Sequence, residues 1–120
     1  MSKINLGILG GGQLGSMLAT AAKKLNVQTI IYCDDKNAPA QKFADDFILG
    51  DYNDEHKISE FVNKVNVVTY EFENIPFNTL EFINKHKQVL PKPNINQVIQ
   101  NRFSEKNFIN NLGIKTTEYV

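Results

Sequence analysis

Five short apolar runs of strand length alternate along the chain with stretches whose apolar residues recur at helical spacing. This alternation is typical of βαβ units, in which parallel strands are joined by helices that cross the face of the sheet. It predicts an α/β fold, a Rossmann-like parallel sheet of about five strands with helices on both faces. The predicted strands are 4–9, 28–33, 47–50, 66–70 and 88–91.

The stretches between these strands carry helix signals. After the first strand, apolar residues recur three and four positions apart, which predicts a helix. Its sheet-facing stripe is predicted to be Leu14, Met17, Leu18, Ala21, Ala22 and Leu25. Asp54 is placed to cap a second helix, whose stripe is Ile58, Phe61, Val62 and Val65. Pro76 suits the first position of a third helix containing Leu80 and Ile83. Two further short helices are expected around 95–101 and 102–112.

A glycine-rich loop leaves the first strand in "LGILGGGQLGSML" (6–18), where Gly10, Gly12 and Gly15 fit G-x-G-x-x-G. Glycines allow a sharp strand-to-helix turn, and they leave backbone N–H groups bare at a helix amino terminus, which favours an anion or a polar oxygen. The loop therefore predicts a ligand site. Two alternatives are a tight turn with no ligand and a dinucleotide site in which Asp34 binds ribose hydroxyls, although the chain offers no second half for a dinucleotide fold.

Two carboxylates follow the fourth strand in "VVTYEFENIP" (67–76). Ligands of open α/β sheets bind beyond the carboxyl ends of the strands. In an extended chain Glu71 and Glu73 share a face, so both could accept hydrogen bonds from hydroxyl or amine donors held over the glycine loop. The alternative is a solvated loop ahead of a helix. No nucleophile triad or metal-ligand cluster accompanies the pair.

Composition restricts the class of protein. Thirteen Lys plus Arg balance thirteen Asp plus Glu, which argues against a nucleic-acid partner. The single cysteine, Cys33, cannot form an intrachain disulfide, and the two histidines give no zinc spacing, so a reducing cytoplasm is expected. No apolar run approaches the roughly 18 residues of a membrane span, and no leader pattern opens the chain.

Four stretches together resemble the amino-terminal region of the 5-(carboxyamino)imidazole ribonucleotide synthases, also called ATPase subunits of phosphoribosylaminoimidazole carboxylase. They are "GILGGGQLGSML", "DDKNAPAQKFAD" (34–45), "VVTYEFENIP" and "PKPNINQVIQNRFSEKNFINNLGIKT" (91–116). The resemblance covers essentially the whole chain. The segment "TYEFEN" followed by "NRFSEK" is more specific for these synthases than the glycine loop, because related ATP-grasp enzymes share that loop.

The resemblance implies an ATP-grasp ligase of purine biosynthesis that carboxylates aminoimidazole ribonucleotide with bicarbonate, using ATP and Mg²⁺. In such enzymes bicarbonate is activated as carboxyphosphate before its carbon passes to the exocyclic amine. Carried over by motif, the ribonucleotide would bind at Gly12, Gln13, Leu14, Glu71 and Glu73. Arg102 matches an arginine that reaches ATP phosphates, a role that suits its guanidinium fork. Ser16 and Asn101 stand where many relatives carry a basic residue and an Asp.

Length separates this chain from that family, whose members continue for about two further domains. The expected organisation is a pre-ATP-grasp domain over 1–100, then a helix and the start of a connection over 101–120. Such a chain is expected to be catalytically silent alone, and the intact enzyme is expected to be a homodimer. Two other interpretations stay open: the equivalent domain of another ATP-grasp carboxylase or ligase, and a stand-alone nucleotide-binding module.

Overall fold

The computed structural model describes residues 4–71 and 75–93. In chain order the strands and helices are β1 (Asn5–Leu9), α1 (Gln13–Lys24), β2 (Gln28–Cys33), a short 3-10 helix (Pro39–Lys42), β3 (Asp46–Leu49), α2 (Glu55–Asn63), β4 (Val67–Tyr70), α3 (Phe77–Asn84) and β5 (Gln88–Leu90). The predicted strands are confirmed to within one residue at each end. The two helices expected after residue 94 and the segment 101–120 lie outside the described residues.

All neighbouring strands pair in parallel, in the order β3-β2-β1-β4-β5. The central strand β1 aligns its last residue, Leu9, with Tyr32 of β2 on one side and with Tyr70 of β4 on the other. The loops that follow these three strands therefore leave the sheet at one edge and side by side. This register places the glycine loop between the residues after β2 and those after β4.

Helices cover both faces of the sheet, as predicted. On one face α2 and α3 bury the larger core, in which Phe61 and Leu80 pack against Leu9, Tyr32 and other strand residues. On the opposite face α1 and the 3-10 helix bury a smaller core of Ile8, Ile31, Cys33 and three alanines, Ala19, Ala38 and Ala40. The predicted stripes of α2 and α3 are buried, and the Asp54 carboxylate caps α2 by accepting from the Lys57 N–H at 3.1 Å. Pro76 lies one position before α3 rather than inside it.

The predicted sheet-facing stripe of α1 is wrong. Of its six residues only Ala22 is buried, and the face that contacts the sheet consists of Gly15, Ala19 and Ala22. The reason is the close approach of the helix: a Cβ on Gly15 would lie 2.9 Å from the Gly10 carbonyl oxygen. Small side chains fit that space, so Leu14, Met17, Leu18, Ala21 and Leu25 turn toward solvent.

No helix in the described part of the chain combines the length and hydropathy that a transmembrane span requires.

Raising the pH from 8 to 11 should lower the free energy of unfolding, and Tyr32 is one cause. Its hydroxyl donates to the Asp51 carbonyl oxygen, and burial, aided by the charges of Asp54 and Asp51, raises its pKa to about 12. The unfolded chain loses this proton near pH 10, so stability is complete below that pH and is lost as the pH approaches 12, by on the order of 1–2 kcal/mol. Urea unfolding at several pH values measures the slope.

The matched variant is Tyr32→Phe, which should be less stable at pH 8 but lose less stability between pH 8 and 11. Burial also raises the pKa of Tyr52 and Tyr70, so part of the slope should persist. An unchanged slope in Tyr32→Phe would assign the whole alkaline effect to other groups.

Candidate functional site

The glycine loop turns sharply at Gly10, directly after the central strand. Gly10 has φ +109°, a conformation that side chains rarely adopt, and its N–H donates to the Tyr32 carbonyl oxygen at 2.9 Å. A Cβ on Gly10 would also lie 2.6 Å from Oε1 of Glu71. Both the backbone conformation and the available space require glycine at this position. The carboxylate of Glu71 lies directly against the turn.

Gly12 and Glu71 form the polar centre of this edge. The Gly12 N–H donates to Oε1 of Glu71 at 2.9 Å, and the Glu71 N–H donates to the Leu9 carbonyl oxygen at 3.1 Å. Gly12 is the N-cap of α1, and it has no side chain with which to cap the helix. The first turn of α1 has no acidic residue, so Glu71, directly after β4, supplies the negative charge that the helix amino terminus favours.

The 3-10 helix supports the glycine loop from the other side. The Ala40 N–H donates to the Gly11 carbonyl oxygen at 2.9 Å, and a Cβ on Gly11 would lie 2.6 Å from Cβ of Ala38. This support of the glycine loop was not predicted from the sequence. The available signal was the run "APA" (38–40), whose small residues allow the segment to lie against the glycine backbone.

The structure brings two of the predicted site residues into contact and leaves others apart. Gly12 and Glu71 are hydrogen-bonded, and Glu71 is half-buried. Gln13 and Leu14 begin α1 beside them, with exposed side chains. Glu73 and Arg102 lie outside the described residues, and so does Asn101. Ser16 donates its hydroxyl to the Gly12 carbonyl oxygen at 3.2 Å and thus fastens the first turn of α1.

The buried Tyr52 and Cys33 and the partly buried Tyr70 lie beneath the loops of this edge. Burial raises the pKa of Tyr52, with a further contribution from Cys33, and burial alone raises the pKa of Tyr70. These hydroxyls stay protonated at neutral pH. Among residues 4–71 and 75–93, no group of three or more His, Cys, Asp or Glu side chains is placed to hold a metal ion.

A family model described as the ribonucleotide synthetase preATP-grasp domain matches residues 1–100. The chain belongs to this family. The match includes both halves of the site, the glycine loop and Glu71, and the parallel sheet that positions them.

Two relatives of this preATP-grasp domain have names that describe the same enzyme. N5-carboxyaminoimidazole ribonucleotide synthase of Brucella melitensis is 40% identical over 114 residues, covering 95% of this chain and 32% of that protein. The crystal structure of the Thermus thermophilus synthetase superimposes with a TM-score of 0.88 at 34% identity, covering 92% of this chain and 31% of that one. The chain therefore spans about a third of the length of the relatives that it matches.

A third relative has been crystallised with ligands. The N5-carboxyaminoimidazole synthase of Aspergillus clavatus, in complex with ADP and 5-aminoimidazole ribonucleotide, superimposes on the preATP-grasp domain with a TM-score of 0.85 at 30% identity. The alignment covers 97% of this chain and 31% of that one.

Proposed function

We propose that this chain is the ribonucleotide-binding domain of a synthase that carboxylates the exocyclic amine of aminoimidazole ribonucleotide with bicarbonate, while ATP is converted to ADP and phosphate. The observation that carries the proposal is the Glu71 carboxylate held on the Gly12 N–H at the carboxyl edge of the sheet. Support also comes from the family match and from the Aspergillus relative crystallised with this ribonucleotide.

Glu71 decides which part of a ribonucleotide suits this edge. Its Oε1 already accepts the Gly12 N–H, so the strongest anion-binding position of the loop is filled by a group of the protein itself. A phosphate brought there would meet a carboxylate of the same charge. The other oxygen of Glu71 can accept from a hydroxyl or an amine, and both are donors that ribose and the aminoimidazole ring provide. The ribose therefore fits this edge, with its phosphate directed away.

Gln13, Leu14 and Glu73 complete the proposed ribonucleotide contacts, and Arg102 is proposed to contact ATP phosphates. The described residues do not fit Mg²⁺, because no cluster of ligating side chains is present among them. We therefore assign Mg²⁺, bicarbonate and most of the ATP site to parts of a longer enzyme, and derive no step through them. The proposal also includes a domain boundary near residue 100. It further includes a homodimeric enzyme in the cytoplasm that has no nucleic-acid or membrane partner.

The test is an assay of the full-length enzyme that contains this domain. We expect ADP formation that requires bicarbonate and is stimulated by aminoimidazole ribonucleotide. Two further measurements separate the alternatives. The same assay is run with a panel of other ribonucleotide amines, and NAD binding is measured by thermal-shift titration. Stimulation by a different amine would move the domain to another ATP-grasp enzyme, and tight, selective NAD binding would favour a dinucleotide site.

Glu71→Gln should raise the KM for aminoimidazole ribonucleotide in that enzyme about tenfold or more, because the amide accepts hydrogen bonds more weakly than the carboxylate; tenfold corresponds to about 1.4 kcal/mol of binding. The KM for ATP should change much less. Steady-state kinetics with each substrate varied in turn measures both constants.

The matched control is Glu81→Gln, which makes the same chemical change at an exposed glutamate on α3. It should leave both constants within about twofold. Equal kinetics for Glu71→Gln and the control would remove Glu71 from the substrate site.

A further inference from the structure

The 3-10 helix meets the glycine loop and the first turn of α1 through two buried alanines. Ala38 is its N-cap and Ala40 lies within it. Ala38 is 5% exposed and Ala40 is fully buried, and both belong to the smaller core on the α1 face of the sheet. A larger side chain at either position must displace its neighbours, because a protein core has little free space.

Ala40 holds the donor of the Gly12–Glu71 hydrogen bond through the preceding carbonyl group. The Gly11 carbonyl oxygen accepts from the Ala40 N–H at 2.9 Å, and the Gly12 N–H donates to Oε1 of Glu71 at 2.9 Å. That carbonyl and that N–H belong to one planar peptide unit, so the direction of the first fixes the direction of the second. The Ala40 N–H and the Glu71 carboxylate therefore bind the two ends of a single rigid group.

Ala40 also contacts α1 at the point where Glu71 does. A Cβ on Gly15 would lie 3.5 Å from Cβ of Ala40 and 3.7 Å from Cγ of Glu71. The side chains of Ala40 and Glu71 thus pack against the same glycine of the helix. A larger side chain at position 40 would move the first turn of α1 relative to the side chain of Glu71.

We infer that Ala40 is a positioning residue for the ribonucleotide, because it holds the peptide unit between Gly11 and Gly12 and packs against Gly15. Through these two contacts it sets the direction in which the Glu71 carboxylate faces the substrate. Ala40 is fully buried, so it acts through Glu71 and is not itself a contact of the ribonucleotide. The inference rests on the proposed function, in which Glu71 accepts from a hydroxyl or an amine of that substrate.

Ala40→Val in the full-length enzyme tests the positioning role by separating the kinetic constants. The KM for aminoimidazole ribonucleotide should rise about fivefold or more, while kcat and the KM for ATP stay within about twofold. Ala40→Ser adds a single atom and should raise the same KM about two- to threefold, which gives a result even if valine prevents folding. The matched control is Ala22→Val, at a buried alanine two turns further along the same face of α1, and it should leave all three constants within about twofold.

A double-mutant cycle shows whether Ala40 acts through the carboxylate. In a Glu71→Ala enzyme no carboxylate remains to be misplaced, so adding Ala40→Val should raise the KM for the ribonucleotide by less than about twofold. Loss of stability alone would give the same increase in both backgrounds. Additive effects would overturn the inference, and so would an equal rise in this KM for the Ala22→Val control.

Amide hydrogen exchange of the 120-residue chain, followed by NMR, distinguishes this inference from the proposed function. In Ala40→Val the Gly12 N–H should exchange at least about fivefold faster, beyond any change at the amides of β2, which report global unfolding. Ala22→Val should produce no such local difference. Unchanged exchange at Gly12 in the folded variant would overturn the positioning role. If the full-length enzyme does not respond to aminoimidazole ribonucleotide, the proposed function fails, and the exchange rates still decide whether Ala40 positions the Gly12–Glu71 pair.

Discussion

Phe61→Ala is expected to lower the free energy of unfolding by about 3–5 kcal/mol, the range typical of a large aromatic side chain removed from a core. Phe61 is fully buried at the centre of the larger core, with its ring centroid 5.6 Å from that of Tyr32. It also contacts the central strand, where a Cβ on Gly7 would lie 2.6 Å from Cζ of Phe61. Gly7 on β1 and Phe61 on α2 are closely packed against each other. Because the surrounding core is dense, its side chains cannot easily move in to fill the cavity that alanine would leave.

Urea unfolding followed by circular dichroism measures this change. Phe61→Leu is the matched variant, since it keeps most of the apolar volume and should lose roughly 1–2 kcal/mol. Domains of this size are commonly stable by about 5–15 kcal/mol, so Phe61→Ala should unfold at a much lower urea concentration, or lack a folded baseline in water. A loss below about 1 kcal/mol for Phe61→Ala would mean that the core rearranges to fill the cavity.

Gly10→Ala is expected to cost roughly 2–4 kcal/mol, because backbone strain of about 1–3 kcal/mol at a positive φ is added to a steric conflict. The added Cβ would meet the carboxylate of Glu71, which the Gly12 N–H already holds in place. The variant must either strain the turn or displace Glu71. We therefore expect lower stability together with weaker ribonucleotide binding in a full-length enzyme.

Gly12→Ala is the matched control for the stability measurement. Gly12 has φ −78°, which alanine adopts readily, and the nearest atom to an added Cβ is Oε1 of Glu71 at 3.3 Å. The end of that side chain can shift by a few tenths of an ångström, so the change in stability should stay within about 1 kcal/mol. Equal losses at both glycines would show that space around Glu71, rather than the φ of Gly10, dominates.

Local patterns predicted the sheet well, because strand-length apolar runs and parallel βαβ order leave few alternatives. The same reasoning failed on α1. Periodicity identifies an apolar face, but it cannot say whether the sheet or another surface buries that face. In α1 a second stripe of Gly15, Ala19 and Ala22 competes with the leucines, and close packing selects the smaller residues. The leucines and Met17 are then exposed to solvent.

The site was predictable in its parts but not in its central contact. The glycines and Glu71 stand at the ends of predicted strands, and the rule that ligands bind at this edge brought them near each other. The hydrogen bond from the Gly12 N–H to Glu71 depends on the register of β1 with β4. No local sequence pattern specifies that register. Support from Ala38 and Ala40 was missed for a similar reason, since it depends on the path of a loop.

The Gly12–Glu71 hydrogen bond has a kinetic consequence, since its partners are 59 residues apart in the chain. Strands β1, β2 and β3 can pair in chain order, but β4 must return past β2 and β3 to reach β1. Loop-closure entropy disfavours such a distant pairing until the chain between is ordered, and contacts of this kind slow folding. Ligand affinity at this edge should therefore emerge only once this most distant strand pairing has formed, so that binding competence reports the assembled sheet and not a partly folded chain.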